Sequence, residues 1–262
     1  MFNSEQTRCH YGASQLMEVL CQLRFPTILK IGAAEPVDLQ ETIRQDYPRY
    51  AVQEEHPAPK VTGLGTANPQ IENQPPVINY CFAAADGAWR VNLTNRFITL
   101  STQRYPRWEE FAARLDRLLA AFIPVYQPTF FERIGLRYVN AFSRKVLGLE
   151  GTPWNELLQP AYLGMLAEED VSEQAVSKSA MDVDMALRHG CRMKLHAGPG
   201  TIRKNGKPEP EPRFILDLDL SMSGQLHGPE ITGALNTLHG EATSVFRGAI
   251  TEKLHQAMEP EF

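Results

Sequence analysis

The sequence predicts an α+β protein: a curved antiparallel sheet in two similar halves, each a meander followed by a long helix packed on the sheet. Three observations lead there. Short runs of alternating apolar and polar residues, separated by turn signals, occur in both halves. A stretch with apolar residues at helical spacing closes each half, at 106–124 and at 229–258. With 262 residues, 43% hydrophobic and 22% charged, the chain has enough apolar material to bury a large core without disulfides or metal. The expected division is an N-terminal α+β half over 1–150 and a C-terminal α+β half over 151–262, packed as one compact unit with the first.

In order along the chain, "EVLCQLRF" (18–25) alternates through Val19, Cys21, Leu23 and Phe25 and stops at Pro26, which predicts a first strand. "EPVDLQETIRQDYP" then spaces Leu39, Ile43 and Tyr47 for a short helix between Pro36 and Pro48. The segment 55–76, with Pro57, Pro59, Pro69, Pro75 and Pro76, has neither period and reads as a long surface loop. Three β-rich runs follow, broken at Asp86-Gly87 and at Asn95-Arg96, and the Asp-Gly pair is the strongest hairpin signal in the chain. Trp108, Phe111, Leu115, Leu118, Leu119 and Phe122 form a helical stripe between Pro106 and Pro124.

The run "ERIGLRYVNAF" (132–142) predicts a strand with Ile134, Leu136 and Tyr138 on one face and Arg133, Gly135, Arg137 and Val139 on the other. Beyond it, short helices interrupted by Pro160 are expected. Three more strands follow: "SAMDVDMAL", "HGCRMKLHAG" and "RFILDLDLSM", each with one polar face. Residues 229–258 predict a single closing helix of about seven to eight turns.

The net charge of −5 and the sequence pI near 5.8 exclude a global basic field for nucleic acid or an anionic membrane, leaving only a local contact with nucleic acid open. Cys9, Cys21, Cys81 and Cys191 form no C-x-x-C pair, which argues against structural zinc and for reduced thiols. The polar N-terminus and the absence of a long apolar run predict a cytoplasmic protein with no membrane association. No phosphate-binding, dinucleotide-binding, zincin or nucleophile-elbow motif is present, so no cofactor is expected.

Four groups of residues are candidates for chemistry. Arg133 and Arg137 flank Gly135, where a glycine leaves room for an anion near the backbone, and either arginine can bind a phosphate or carboxylate in bidentate fashion; the competing reading pairs them with Asp217, Asp219, Asp182 or Asp184. Asp217 and Asp219 point the same way along one strand, as carboxylates for Mg²⁺ or Mn²⁺ would. Glu241 and His239 are the candidates to complete such a site, without spacing to support them, while Arg192, Lys194 and His196 on the preceding strand offer counter-charges instead. His189, Cys191 and His196 do not make a metal site, since alternation puts Cys191 and His196 on opposite faces. His239 sits beside the apolar stripe of the last helix, where a hydrogen-bonded structural histidine outweighs a catalytic base.

The ordered landmarks Glu18-Val19 with Arg24-Phe25, Trp108 with Phe111, the strand Arg133, Gly135, Leu136, Arg137, Tyr138, Asn140, and then His239, Phe246, Ile250 and Thr251 span most of the chain. In these the chain resembles an uncharacterised, sporadically distributed family of bacterial proteins of about 260 residues with an R-x-G-L-R-Y-x-N strand. The resemblance implies no activity, and its patchy distribution implies a role in defence or toxin regulation. The expected function is therefore a non-enzymatic binding or interaction protein, a regulatory or sensor component of a bacterial defence or toxin–antitoxin system, with another protein as partner. Its binding residues would be Arg133, Gly135, Arg137, Asn140 and His239, used together with the 55–76 loop. Two alternatives stand beside it: a metal-dependent phosphoesterase or nuclease using Asp217 and Asp219, and a small-molecule or lipid cavity between the sheet and the last helix, lined by Phe246 and Leu220.

Overall fold

The structure, a computed structural model, describes residues 9–56, 60–62, 70–72, 76–204 and 206–261. Among these, nine strands form one antiparallel sheet: β1 (Leu16–Arg24), β2 (Arg49–Glu55), β3 (Val77–Ala83), β4 (Trp89–Leu93), β5 (Phe97–Thr102), β6 (Phe131–Phe142), β7 (Met181–Ala186), β8 (Arg192–Gly200) and β9 (Arg213–Leu226). Their spatial order is β7-β8-β9-β6-β1-β5-β4-β3-β2. Each half starts with a central strand, β1 or β6, crosses to an outer edge, and meanders back until its last strand lies beside its first. Each then ends in a long helix, α3 (Trp108–Tyr126) or α4 (Gly228–Ala249). The two halves meet where β1 pairs with β6, so one sheet runs through both.

The register aligns a single row across seven strands: Trp89, Thr102, Val19, Tyr138, Leu218, Leu195 and Val183. Trp89 packs on Phe111 of α3, and Tyr138 reaches His239 of α4, so both helices cover this face. One residue along each strand, the other face carries Arg90, Ser101, Leu20, Arg137, Asp219, Lys194 and Asp184. The period-2 alternation read from the sequence thus sorts the apolar set under the helices and the charged set away from them.

Four elements differ from the sequence expectations. β2 was not foreseen; all seven of its residues are exposed, so its alternation is not the buried kind that marks a strand in sequence. In the 55–76 segment, Lys60–Thr62 pairs antiparallel with Gln70–Glu72, where a loop without strands was expected, and residues 57–59, 63–69 and 73–75 lie outside the described residues. α3 runs through Pro124 to Tyr126 and ends at Gln127 in the left-handed conformation, whose N–H donates to Ile123 O. A proline so near the end costs one hydrogen bond and little else.

The expected closing helix is also broken. After α4, Ile250 is extended and Thr251 starts α5 (Glu252–Ala257), its hydroxyl accepting from Leu254 N. The break is set from outside the helix. Gln159 N donates to Ala249 O, Thr251 N donates to Leu157 O, and Thr251 Oγ1 donates to Glu156 O at 2.8 Å. Two shorter helices, α1 (Leu29–Ala33) and α2 (Val37–Ile43), occupy the first crossing, and no helix among the described residues is long and apolar enough to cross a membrane.

Candidate functional site

The candidate residues divide between the two faces of β6. Arg133, Gly135 and Arg137 lie on the face away from the helices; Tyr138 and Asn140 lie beneath α4, with His239 above them. They do not form one site.

On the outer face, Nη2 of Arg133 donates to both carboxylate oxygens of Asp219, at 3.0 and 3.2 Å, and Nε of Arg137 donates to Asp217 Oδ1 at 2.8 Å. These contacts are diagonal: the register sets Arg137 opposite Asp219 and Gly135 opposite Ser221, so both guanidinium groups lean the same way along the sheet. Arg133 reaches Asp219 by lying across Gly135. A side chain at Gly135 would collide with Nη1 of Arg133, and its Cβ would be 2.9 Å from Cζ. The glycine makes room for the chain's own guanidinium. Hydrogen bonding to Asp217 raises the Arg137 pKa further above its ordinary value.

Arg192 and His196 of β8 reach the neighbouring edge instead of Asp217 and Asp219. Arg192 Nε donates to Asp184 at 2.7 Å, and His196 Nδ1 lies 2.8 Å from Asp182. Asp217 and Asp219 do share a face as alternation requires, but each is held by an arginine, and among the described residues no group of three or more His, Cys, Asp or Glu could hold a metal ion. Cys191 is buried while His196 is partly exposed on the other face.

The covered face is different. Between β6, β9 and α4 lies a cavity of about 140 Å³. Leu16, Leu218, Ala242, Phe246 and Met258 supply its apolar wall; Tyr138, Asn140 and His239 stand as a polar wall on the side of β6 and α4, and His10, Ser14, Gln15 and Thr243 add further polar groups at its border. The expected apolar pair was Phe246 and Leu220. Phe246 is there, but Leu218 takes the other place, and Leu220, one repeat along the strand, is fully buried.

The polar wall is fixed in place by packing. Tyr138 Oη and His239 Nδ1 are 2.8 Å apart; the imidazole stacks on the Trp108 indole at 4.4 Å and 5°, and the indole N–H donates to Asn236 Oδ1. Trp108 opens α3 and His239 lies mid-α4, so the stack also joins the long helices of the two halves. Asn140 is 5% exposed, and its amide donates to Leu216 O at 3.4 Å.

Residues 9–16 and Met258 border one side of the pocket, which stays half open. Ala141 N donates to Gln15 O, and Ser143 N to the Gln15 side chain, tying residues 13–16 to β6. Gly12 N and Ala13 N donate to Glu259 O and Met258 O, and His10–Tyr11 pairs with Pro260–Glu261. Tyr11 packs edge-on to Phe246 and to His255, with its hydroxyl 2.9 Å from His255 Nδ1. Burial, then a hydrogen bond with Cys9, raises the Tyr11 pKa; burial, then the Arg247 cation, lowers that of His255. The pair therefore stands as a phenol donating to a neutral imidazole.

Sequence reasoning named Asn140, His239 and Phe246 but missed Tyr138 as a polar wall, Trp108 as the platform under His239, and the terminal segment 9–16 altogether. Trp108 and Tyr138 fell in apolar stripes, and a ribbon pairing residues about 250 positions apart leaves no local signal. No known protein-family model matches the chain, and no curated protein matches it either.

Proposed function

We propose that this is a non-enzymatic binding protein that takes up one small, mainly apolar ring compound bearing a hydroxyl or amide group, in the cavity between β6 and α4. The observation that carries the reading is the convergence of Tyr138, Asn140 and His239 on a half-open, mainly apolar pocket of about 140 Å³. A dry apolar cavity of roughly 150 Å³ takes up a single benzene ring. Pre-placed polar groups in such a space fix orientation and select one functional group over another.

A pocket bordered by a clasp in which residues 10–13 bond to residues 258–261 is suited to a sensor or regulatory role. The resemblance of the R-x-G-L-R-Y-x-N strand supports looking for that role in bacterial defence or toxin–antitoxin systems. Asp217 and Asp219, each already neutralised by an arginine, give the phosphoesterase reading no comparable support.

The test uses phenol and benzene as probes, followed by calorimetry and by the shift in melting temperature. Phenol is expected to bind saturably and more tightly than benzene. Tyr138→Phe is expected to shrink that preference by about tenfold, corresponding to roughly one hydrogen bond. Ala242→Leu, which fills the cavity, is expected to abolish binding of both probes while the protein stays folded. Saturable binding that survives Ala242→Leu, or no binding by the wild type, overturns the reading.

A further inference from the structure

The two edges of the sheet are finished differently. β7 ends one side, and its outward carboxylates, Asp182 and Asp184, flank Val183. If β7 met a second β7 antiparallel about Val183, Asp182 would face Asp184 of the other copy, and like charges directly opposite destabilise a strand pair. Charges of this kind are a common way to keep a sheet edge unpaired.

β2 ends the other side with its charges, Arg49, Glu54 and Glu55, near its two ends and none at 50–53. It is seven residues long, contains no proline or lysine, and is exposed at every position. Three apolar side chains stand open on its helix-side face and that of its neighbour: Tyr50 at 39%, Val52 at 49% and Ile78 at 41%. Arg49 has no ion-pair partner among the described residues.

We propose that the chain forms a two-fold dimer by antiparallel pairing of β2 with β2 of a second copy, in the register that sets Val52 on Val52. That register follows from the sequence "RYAVQEE" itself. It places Arg49 opposite Glu55, whose carboxylate also accepts from Asn79 Nδ2, twice by symmetry, with Tyr50 opposite Glu54 and Ala51 opposite Gln53. On the helix side it makes a continuous apolar row from Tyr80 through both valines to Tyr80 of the second copy, because Val52 already pairs with Tyr80. Each backbone edge supplies the donors and acceptors the other lacks. The dimer would carry one sheet through both copies and would leave both cavities free.

The test is sedimentation equilibrium of the full chain from low to high micromolar concentration. The wild type is expected to approach twice its 29.5 kDa mass. Arg49→Glu is expected to raise the dissociation constant about tenfold or more, since two attractive pairs become repulsive. Adding Glu55→Arg to that variant is expected to restore the dimer, which a merely misfolded edge would not do. Val52→Lys sets two lysines on the dyad and is expected to give a monomer, whereas Val183→Lys on the other edge should change nothing. A wild type that stays monomeric, a dimer that survives Val52→Lys, a charge swap that fails to restore, or open-ended larger species would each overturn the proposal.

Discussion

The two faces of β6 carry polar groups of similar promise and opposite disposition. On the outer face the strand presents Arg133 and Arg137, the side chains that look most like an anion site in the sequence, and both are held by carboxylates of β9. On the covered face it presents Tyr138 and Asn140, unremarkable in sequence, and these border space that no side chain among the described residues fills. Charged groups within a sheet find internal partners because a desolvated guanidinium without one is costly. Neutral polar groups under a helix can face a void at much lower cost. On this strand, the most conspicuous residues are therefore the ones locked in ion pairs, and the inconspicuous ones border the pocket.

The sharpest break in that contrast is Leu218→Ala. Leu218 is 1% exposed and forms part of the cavity wall. Truncating it should cost about 3 kcal/mol, the usual loss for a buried leucine replaced by alanine, and should enlarge the cavity. Chemical denaturation gives the first quantity. The second predicts that toluene or a larger ring binds the variant better than the wild type, so part of the lost stability returns on saturation with ligand. A variant that loses stability with no change in the size of ring it accepts would mean that Leu218 is ordinary core.

A smaller effect is expected on the outer face. Arg133 and Asp219 are 24% and 32% exposed, too open for the penalty of a fully buried pair. Asp219→Ala should cost about 1–2 kcal/mol, and a double-mutant cycle with Arg133→Ala should recover about 1 kcal/mol of coupling. Phenol binding should not change in any member of the cycle, since the pair lies across the sheet from the cavity. Loss of phenol binding in a folded Asp219→Ala protein would show that the two faces do not act independently.

How far the sequence made this arrangement legible depended on the range of the interaction. The α+β class, the central strands and the helix stripes were readable because period 2 and period 3.6 are local. Arg133 and Asp219 could be proposed as partners because both sit on polar strand faces, although the diagonal contact over Gly135 needed the register. The break at Ile250 escaped notice because its causes, Leu157 and Gln159, lie some ninety residues away. The same holds for the cavity: Leu16, Tyr138, Leu218 and Phe246 come from four separate elements, and no local pattern joins them.

The smallest expected effect concerns the clasp over the cavity and follows from His255. This residue is 5% exposed; burial and then Arg247 hold its imidazole below the ordinary 6.5, with Glu252 opposing in part. As the folded value is the lower one, the unfolded chain binds the proton more readily. The contribution to stability is complete above about pH 6.5 and declines as pH falls below that value. Protonation also removes the acceptor for the Tyr11 hydroxyl, so the loss should be local before it is global. Hydrogen exchange at Gly12 and Ala13, whose amides bond to Glu259 and Met258, should therefore accelerate between pH 7 and 5.5 relative to amides in β6, after correction for the intrinsic rate. His255→Gln should flatten that difference. If Gly12 and Ala13 instead keep pace with β6 throughout, the ribbon of 10–13 and 258–261 opens only with the whole protein, and His255 is simply buried beneath it.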